Sequence, residues 1–444
     1  MKKKLIYRLV LTCFIIAIGL IIFRFSSLQA NSYRMLERSG PAAQSREWMI
    51  TRNYASNLQA ALKNNPSDIK SALSLATLFI QEARISGNYL YYDKAALKYV
   101  NDVIRTDSSN FDALTLKSLI YLSQHHFAEG LQIAERAKQI NPYNAFIYGV
   151  LVDGNVEMGN YDSAVANSDR MVSIRPDLRS YSRISYLREI YGDYPGAIQA
   201  MRMAVDAGAP GDETTEWTRI QLGRLYENTG DLKSAEMHYM IALDERPGYA
   251  YAMAGLARIA LATADGEKAI AYYKKADSLV SDNSFKEELS DIYQMKGQKS
   301  KADSLANLVI RVLSRDAQKG SGDENIGHYA DRELAYAFLK VGDYDQALEH
   351  ALIEYNRRPG NIDVNETLAW VYYCKGEYAK ALPYLQVALK TNSKNPLLLC
   401  RAGLIYAKNG NKLSAKTTLE QALSSHANFS QAVKNQSSEI LKTL

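Results

Sequence analysis

The stretch LGRLYENTGDLKSAEMHYMIALDERPG, Leu222–Gly248, holds no catalytic signature, yet its spelling is constrained. Small, aromatic and turn residues fall at Gly223, Tyr226, Gly230, Ala235, Ala242 and Pro247. One period of 34 residues later, Leu256, Ala257, Ala269 and Ala276 repeat the order of Leu222, Gly223, Ala235 and Ala242. LAWVYYCKGEYAKALPYLQVAL repeats it again at Leu368, Ala369, Tyr372, Gly376, Ala381 and Ala388. AGLIYAKNGNKLSAKTTLEQAL does so at Gly403, Tyr406, Gly410, Ala415 and Ala422. Each residue type has a physical reason for its place. Gly223 and Ala235 are small where two helices cross closely, and a large side chain there costs roughly 1–3 kcal/mol. Gly230 with Asp231 ends the first helix through a left-handed cap. Pro247 cannot continue the second helix. Leu222 and Tyr226 fill the space between neighbouring units, so no unit buries its core alone.

This order at a 34-residue spacing resembles the tetratricopeptide repeat, a helix–turn–helix unit spelled W-x2-L-G-x2-Y…A…A…P. About ten copies in phase cover roughly residues 67–429. The resemblance implies an all-α fold, a right-handed α-solenoid of about ten repeats. Repeats start near residues 69, 111, 145, 178, 216, 250, 283, 328, 362 and 396. The organisation read from the chain has five segments. Residues 1–30 are a signal peptide or transmembrane anchor, and 31–66 are a linker and capping helix. Repeats 1–7 occupy 67–316, a hinge loop follows at 317–327, and 328–444 hold repeats 8–10 with a C-terminal capping helix. Caps hide the open apolar ends of such arrays.

The net charge of +5 is concentrated at one end. Residues 1–38 carry seven basic side chains against Glu37, a net +6, so the rest of the chain nets −1. A neutral body lacks the broad basic field that nucleic-acid binding requires, and no nucleic-acid partner is expected. MKKKLIYRLVLTCFIIAIGLIIFR places lysines before an uncharged run from Leu9 to Phe23. With Arg8 and Arg24 snorkelling, residues 5–25 are long enough to span a bilayer. Cleavage after Ala30 competes with that reading, with Leu28 a poor fit to the preferred small residue. Either way the body is expected outside the cytoplasm, in a bacterial cell envelope, with membrane contact through the amino-terminal segment alone.

The chain lacks H-E-x-x-H, G-x-x-x-x-G-K-[ST] and G-x-S-x-G, so no enzyme, metal or cofactor is expected. GQKSK, Gly297–Lys301, occupies the repeat's glycine turn and reads as structural. His125 and His126 fall in a turn and read as solvated. Cys374 and Cys400 are eight repeat positions out of step, about 12 Å along parallel helices, too far for a disulfide.

The resemblance further implies partner binding in the groove lined by the first helix of each pair, at repeat positions 2, 5, 9, 12 and 13. Carried over, these give Tyr186, Trp217, Arg224, Glu227, Tyr251, Arg258 and Asp291 in the central repeats, then Tyr329, Arg332, Tyr336, Trp370 and Tyr373. Aromatic rings with arginine on a rigid surface make a peptide hot spot. Arg224 and Arg258 share one slot in successive repeats, placed either to clamp a carboxylate or to pair with Glu227. The expected function is a non-enzymatic protein-interaction scaffold of the envelope that binds a peptide or partner helix. The alternative is a module that stacks envelope glycan or another small ligand on the same aromatic rings.

Overall fold

A computed structural model describes residues 12, 14, 16–19, 33–320 and 322–444. Of the amino-terminal apolar segment, residues 12, 14 and 16–19 are helical and exposed, and the remainder lies outside the described residues. Among the described residues no helix is long and apolar enough to cross a membrane. Residues 1–37 separate as one compact unit and Arg38–Leu444 as another.

The larger unit opens with a 3-10 turn, Gly40–Gln44, and then contains only α-helices among the described residues. Helix α1 (Arg46–Asn64) precedes ten hairpins. The first five are α2 (Ile69–Ser86) with α3 (Tyr89–Thr106), α4 (Phe111–Ser123) with α5 (Phe127–Ile140), α6 (Ala145–Met158) with α7 (Tyr161–Ile174), α8 (Leu178–Ile190) with α9 (Tyr194–Asp206), and α10 (Glu213–Asn228) with α11 (Leu232–Glu245). The next three are α12 (Ala250–Ala262) with α13 (Gly266–Leu279), α14 (Asn283–Met295) with α15 (Lys299–Asp316), and α16 (Asp331–Val341) with α17 (Tyr344–Arg357). The last two are α18 (Ile362–Cys374) with α19 (Tyr378–Ala388), and α20 (Pro396–Lys408) with α21 (Lys412–Ser424). Helix α22 (Gln431–Thr443) closes the chain.

Local chemistry sets the hairpin borders. Eight of the ten first helices start on Asp or Asn (hairpin six starts after Tyr249 and hairpin eight after Ala330), and the carboxyl or amide of Asp68, Asn110, Asn144, Asp177, Asp282, Asn361 and Asn395 accepts a backbone N–H of the first turn. Such a cap contributes about 1 kcal/mol. Within the fifth hairpin, Ala235 and Ala242 are fully buried. The close crossing there is made by a ring: Tyr239 is wedged between Gly223 and Gly255, and a Cβ on Gly255 would lie 2.6 Å from it.

A solenoid repeat ordinarily touches only its neighbours. In this chain the turn of each early hairpin also meets the loop that opens a hairpin about six repeats later. The backbone N–H of Tyr329 donates to the Gln124 carbonyl at 3.1 Å, and that of Asn428 to the Glu227 carbonyl at 3.1 Å. The Tyr161 hydroxyl accepts from the N–H of Ile362 at 2.9 Å, and the Asn361 amide donates to the Glu157 carbonyl at 3.0 Å. The bonded partners stand 201–205 residues apart. The second turn of the superhelix is thus seated on the first.

His125 and His126 belong to this seam, which corrects the expectation of a solvated turn. His126 is 3% exposed, its Nε2 is 3.0 Å from the Gly327 carbonyl, and its ring stacks on Tyr329 with centroids 3.8 Å apart. His125 lies 2.9 Å from the Tyr329 carbonyl and packs against His328. The interruption at 317–327 therefore ends on the second hairpin.

Candidate functional site

Seating one superhelical turn on another converts the concave groove into a lumen, with a cavity of about 2770 Å³. Its wall is made chiefly by the inward faces of the first helices, from α2 round to α20, with parts of α3 and α15, the loop around 318–328 and the start of α22. Of the residues expected to face a partner, Tyr186, Trp217, Arg224, Glu227, Arg258, Asp291, Tyr336 and Trp370 line this space. Tyr251, Tyr329, Arg332 and Tyr373 do not.

Those four serve the wall itself. Tyr251 backs Trp217 edge-on, with centroids 5.0 Å apart, and also meets Phe285. Tyr329 lies in the seam, with the Arg357 guanidinium 4.0 Å from its ring. The Nε of Arg332 donates to the Thr367 hydroxyl at 3.1 Å. Tyr373 is buried, stacks on Trp370 with centroids 4.8 Å apart, and its hydroxyl accepts from the Gln436 amide of α22 at 3.0 Å.

The two arginines of the shared slot differ. Arg258 donates to both Glu227 oxygens, at 2.9 and 3.2 Å, and to the Tyr239 hydroxyl at 3.1 Å. Glu227 is 3% exposed and also accepts from the Tyr239 hydroxyl and the Asn428 amide. The Glu227–Arg258 pair is therefore internally satisfied. Arg224 is exposed in the lumen and makes no hydrogen bond or ion pair among the described residues, with Glu189 and Glu288 the acids that feel its charge. Further round, Arg401 pairs with Glu366, donates to the Tyr336 hydroxyl at 2.8 Å, and sits 4.8 Å from the Trp370 ring. Trp370 thus lines the lumen with Tyr373 stacked on its ring and the Arg401 guanidinium beside it.

The lining is acidic on balance, with fourteen Asp and Glu against ten Lys and Arg. Burial raises the carboxyls of Glu157, Glu189 and Glu288 above the ordinary glutamate value and pushes that of Glu287 up to about 7. Glu287, Glu288 and Asp291 share α14, where Lys340 bonds Asp291. An opposite charge entering near α14 would be held at low dielectric, where it counts most. Glu157, Glu189 and Glu287 sit at repeat positions 13, 12 and 5, so applying the groove positions to every repeat would have found them. Arg183 and Arg401 stand one position away and emerge only from the rotation of the helices. Among the described residues no group of three His, Cys, Asp or Glu is placed to hold a metal ion. Cys374 and Cys400 are free thiols.

Family models described as tetratricopeptide repeat match residues 220–284 and 332–396, and a second such model matches 397–428. Photosystem I assembly protein Ycf3 of Synechococcus sp. (strain CC9311) is 35% identical over 109 residues, which cover 24% of this chain and 60% of that protein. The protein of the same name from Prochlorococcus marinus is 41% identical over 81 residues, covering 18% and 47%. The chain thus spans about half the length of the curated relatives it matches. Among solved structures, the human IFIT1 dimer with PPP-AAAA superposes with a TM-score of 0.48 at 13% identity, covering 77% of this chain and 78% of that one. Over residues 220–284, 332–396 and 397–428 this chain carries tetratricopeptide repeats.

Proposed function

We propose that this protein is a non-enzymatic interaction scaffold of the bacterial cell envelope whose lumen takes an extended peptide or a partner helix. The size of the lumen carries the reading. Small-molecule pockets span roughly 300–1,000 Å³, and a cavity of about 2770 Å³ suits a stretch of polymer. Its acidic balance favours a protein over a phosphate backbone. Trp217, Tyr186 and Arg224 form the region of the wall best suited to anchor such a stretch. The two similar proteins named above carry assembly in their names, and a protein partner is in keeping with that. The envelope assignment rests on the lysine-then-apolar spelling of residues 1–25.

In-cell photocrosslinking from position 217 tests the reading. A discrete protein adduct is expected, and Arg224→Glu combined with photocrosslinking at 217 should reduce its yield about tenfold. An unchanged adduct pattern would remove Arg224 from the contact, and absence of any protein adduct would sink the lumen as a protein site. The mass of the mature amino terminus, together with cell fractionation, tests the envelope assignment: recovery in the cytoplasm would refute it.

A further inference from the structure

The seam inside the molecule uses two edges of the solenoid, and each edge continues beyond it. The turns of hairpins one to five rest on later loops. At Gly87, Gly192 and Gly230 a Cβ would fall within 2.7 Å of a later backbone or closer. The turns of hairpins six to ten face outward. A Cβ on Gly266, Gly297, Gly342, Gly376 or Gly410 would meet nothing within 4 Å. On the opposite edge, the loops before hairpins one to five are exposed at their tips, with Tyr143 at 77%. The loop before hairpin six is already taken, with Gly248 against Pro41 and Arg246 2.8 Å from Glu47.

The ends of the array fit the same scheme. Among the described residues, α1 packs on α2 in the place of a pair's second helix with no first helix beside it, and α22 packs on α20 and α21 in the place of a first helix with no second beside it. The outer side of α1 shows Met49, Ile50 and Tyr54, at 52%, 56% and 47% exposure. Placed end to end, α22 of one copy and α1 of the next would make one shared hairpin. That sets the register. Turns six to ten of the first copy then meet the loops before hairpins one to five of the second, as turns one to five meet later loops within one chain.

Charge follows the register. Counted with one helical residue on each side, the inner turns one to five carry no Lys or Arg. The outward turns carry five Lys against three acids, and the outward loops carry six acids against one Arg. The best match is at turn ten, where Lys408 and Lys412 face Asp206 and Asp212 of loop five; Lys296 and Lys299 of turn seven face Asp107 of loop two but also pair with Glu267 and Asp303, and turn six sets Asp265 opposite Asp68 of loop one. We infer that the outward turn edge docks on the outward loop edge of a second copy of this chain, continuing the superhelix head to tail. The contact is heterologous, so it can propagate beyond a dimer. Being charge-matched at the rim, it weakens with salt.

Sedimentation of the full chain across concentration tests this. Assembly is expected to grow with concentration and to fall when salt rises from about 50 mM to about 500 mM. Lys408→Glu with Lys412→Glu should raise the concentration needed by at least about tenfold, and Asp206→Lys with Asp212→Lys should do the same. All four side chains are exposed, so neither variant is asked to survive a buried charge. Mixing the two variants should restore assembly, because the Glu-bearing turn of one meets the Lys-bearing loop of the other. A chain that stays monomeric at every concentration would overturn the inference. So would variants that assemble like the parent, or a mixture that stays apart.

Discussion

Gly159 and Gly376 have nearly the same left-handed backbone, φ 78° and 79°, and occupy the same turn in different hairpins. A Cβ at Gly376 would meet nothing within 4 Å, whereas one at Gly159 would run into the backbone of Gly360. An alanine at either place bears the left-handed cost of roughly 1–2 kcal/mol. At Gly159 it must also push apart the backbones that touch across the seam, which adds roughly 1–3 kcal/mol. Gly159→Ala is therefore expected to lower the urea midpoint clearly more than Gly376→Ala. Equal losses would mean that the seam contributes nothing at this turn. The second hairpin already lacks the glycine: His125 takes φ 61° and spends its side chain on the opposite loop.

At the scale of elements, the loop between α15 and α16 is the one whose hold on the rest depends on imidazoles. Burial, with the His125 ring beside it, pushes His328 down to about 3, while Glu333 acts in the other direction. Burial likewise lowers His126. An unfolded histidine titrates near 6.5, so the folded loop binds fewer protons than the unfolded chain. Its contribution is complete above about pH 6.5 and falls as pH drops toward 3. One such group accounts for about 2 kcal/mol by pH 5. The urea midpoint should fall between pH 7.5 and pH 5, and His328→Phe should flatten that fall; an equal slope in the variant would free His328 of the role. Sequence reading reached the helices because most hairpins spell their own borders: Gly230, Ala235 and Pro247 act on residues within a few positions of themselves. The fifth hairpin opens at Glu213 and the eighth at Asp331, each three residues from the 34-residue register, where longer loops intervene. Eight of the twelve expected groove residues reach the lumen because one face of a helix is a local property. The seam was not legible. It depends on a small rotation per repeat accumulated over about six repeats, and its partners, Tyr329 with His126 or Asn361 with Glu157, share no local pattern. For the same reason the sequence leaves Arg224 and Arg258 open either to clamp a carboxylate or to pair with Glu227, and only the convergence of Tyr239 and Asn428 on Glu227 assigns Arg258 to the pair.

For the whole molecule, the seam changes how the array stores its stability. In a simple solenoid a substitution is felt by the adjoining repeats alone. Here Arg358, 5% exposed, joins the eighth and ninth hairpins to the third. It pairs with Glu354 at 2.5 Å and with Glu157, and its guanidinium lies 4.4 Å from the Phe127 ring. Glu354 is itself 2% exposed. Removing the arginine takes the cation from Glu157, which is about a third exposed, and leaves Glu354 with Arg357 as its remaining partner, so the loss falls below the roughly 3–5 kcal/mol of a fully buried broken pair. The hairpins do not need that pair to form, since each keeps its own caps and alanine crossing. The expected result of Arg358→Ala is therefore an opened superhelix and not an unfolded one. Small-angle scattering should report a larger radius of gyration while the far-ultraviolet helical signal stays near the parent's. Because the lumen exists only while the second turn rests on the first, the same variant should also lose the protein adducts formed from position 217. An unchanged radius with those adducts intact would show that the neighbour contacts alone hold the coil closed, and the seam would then be a consequence of the curvature and not its cause.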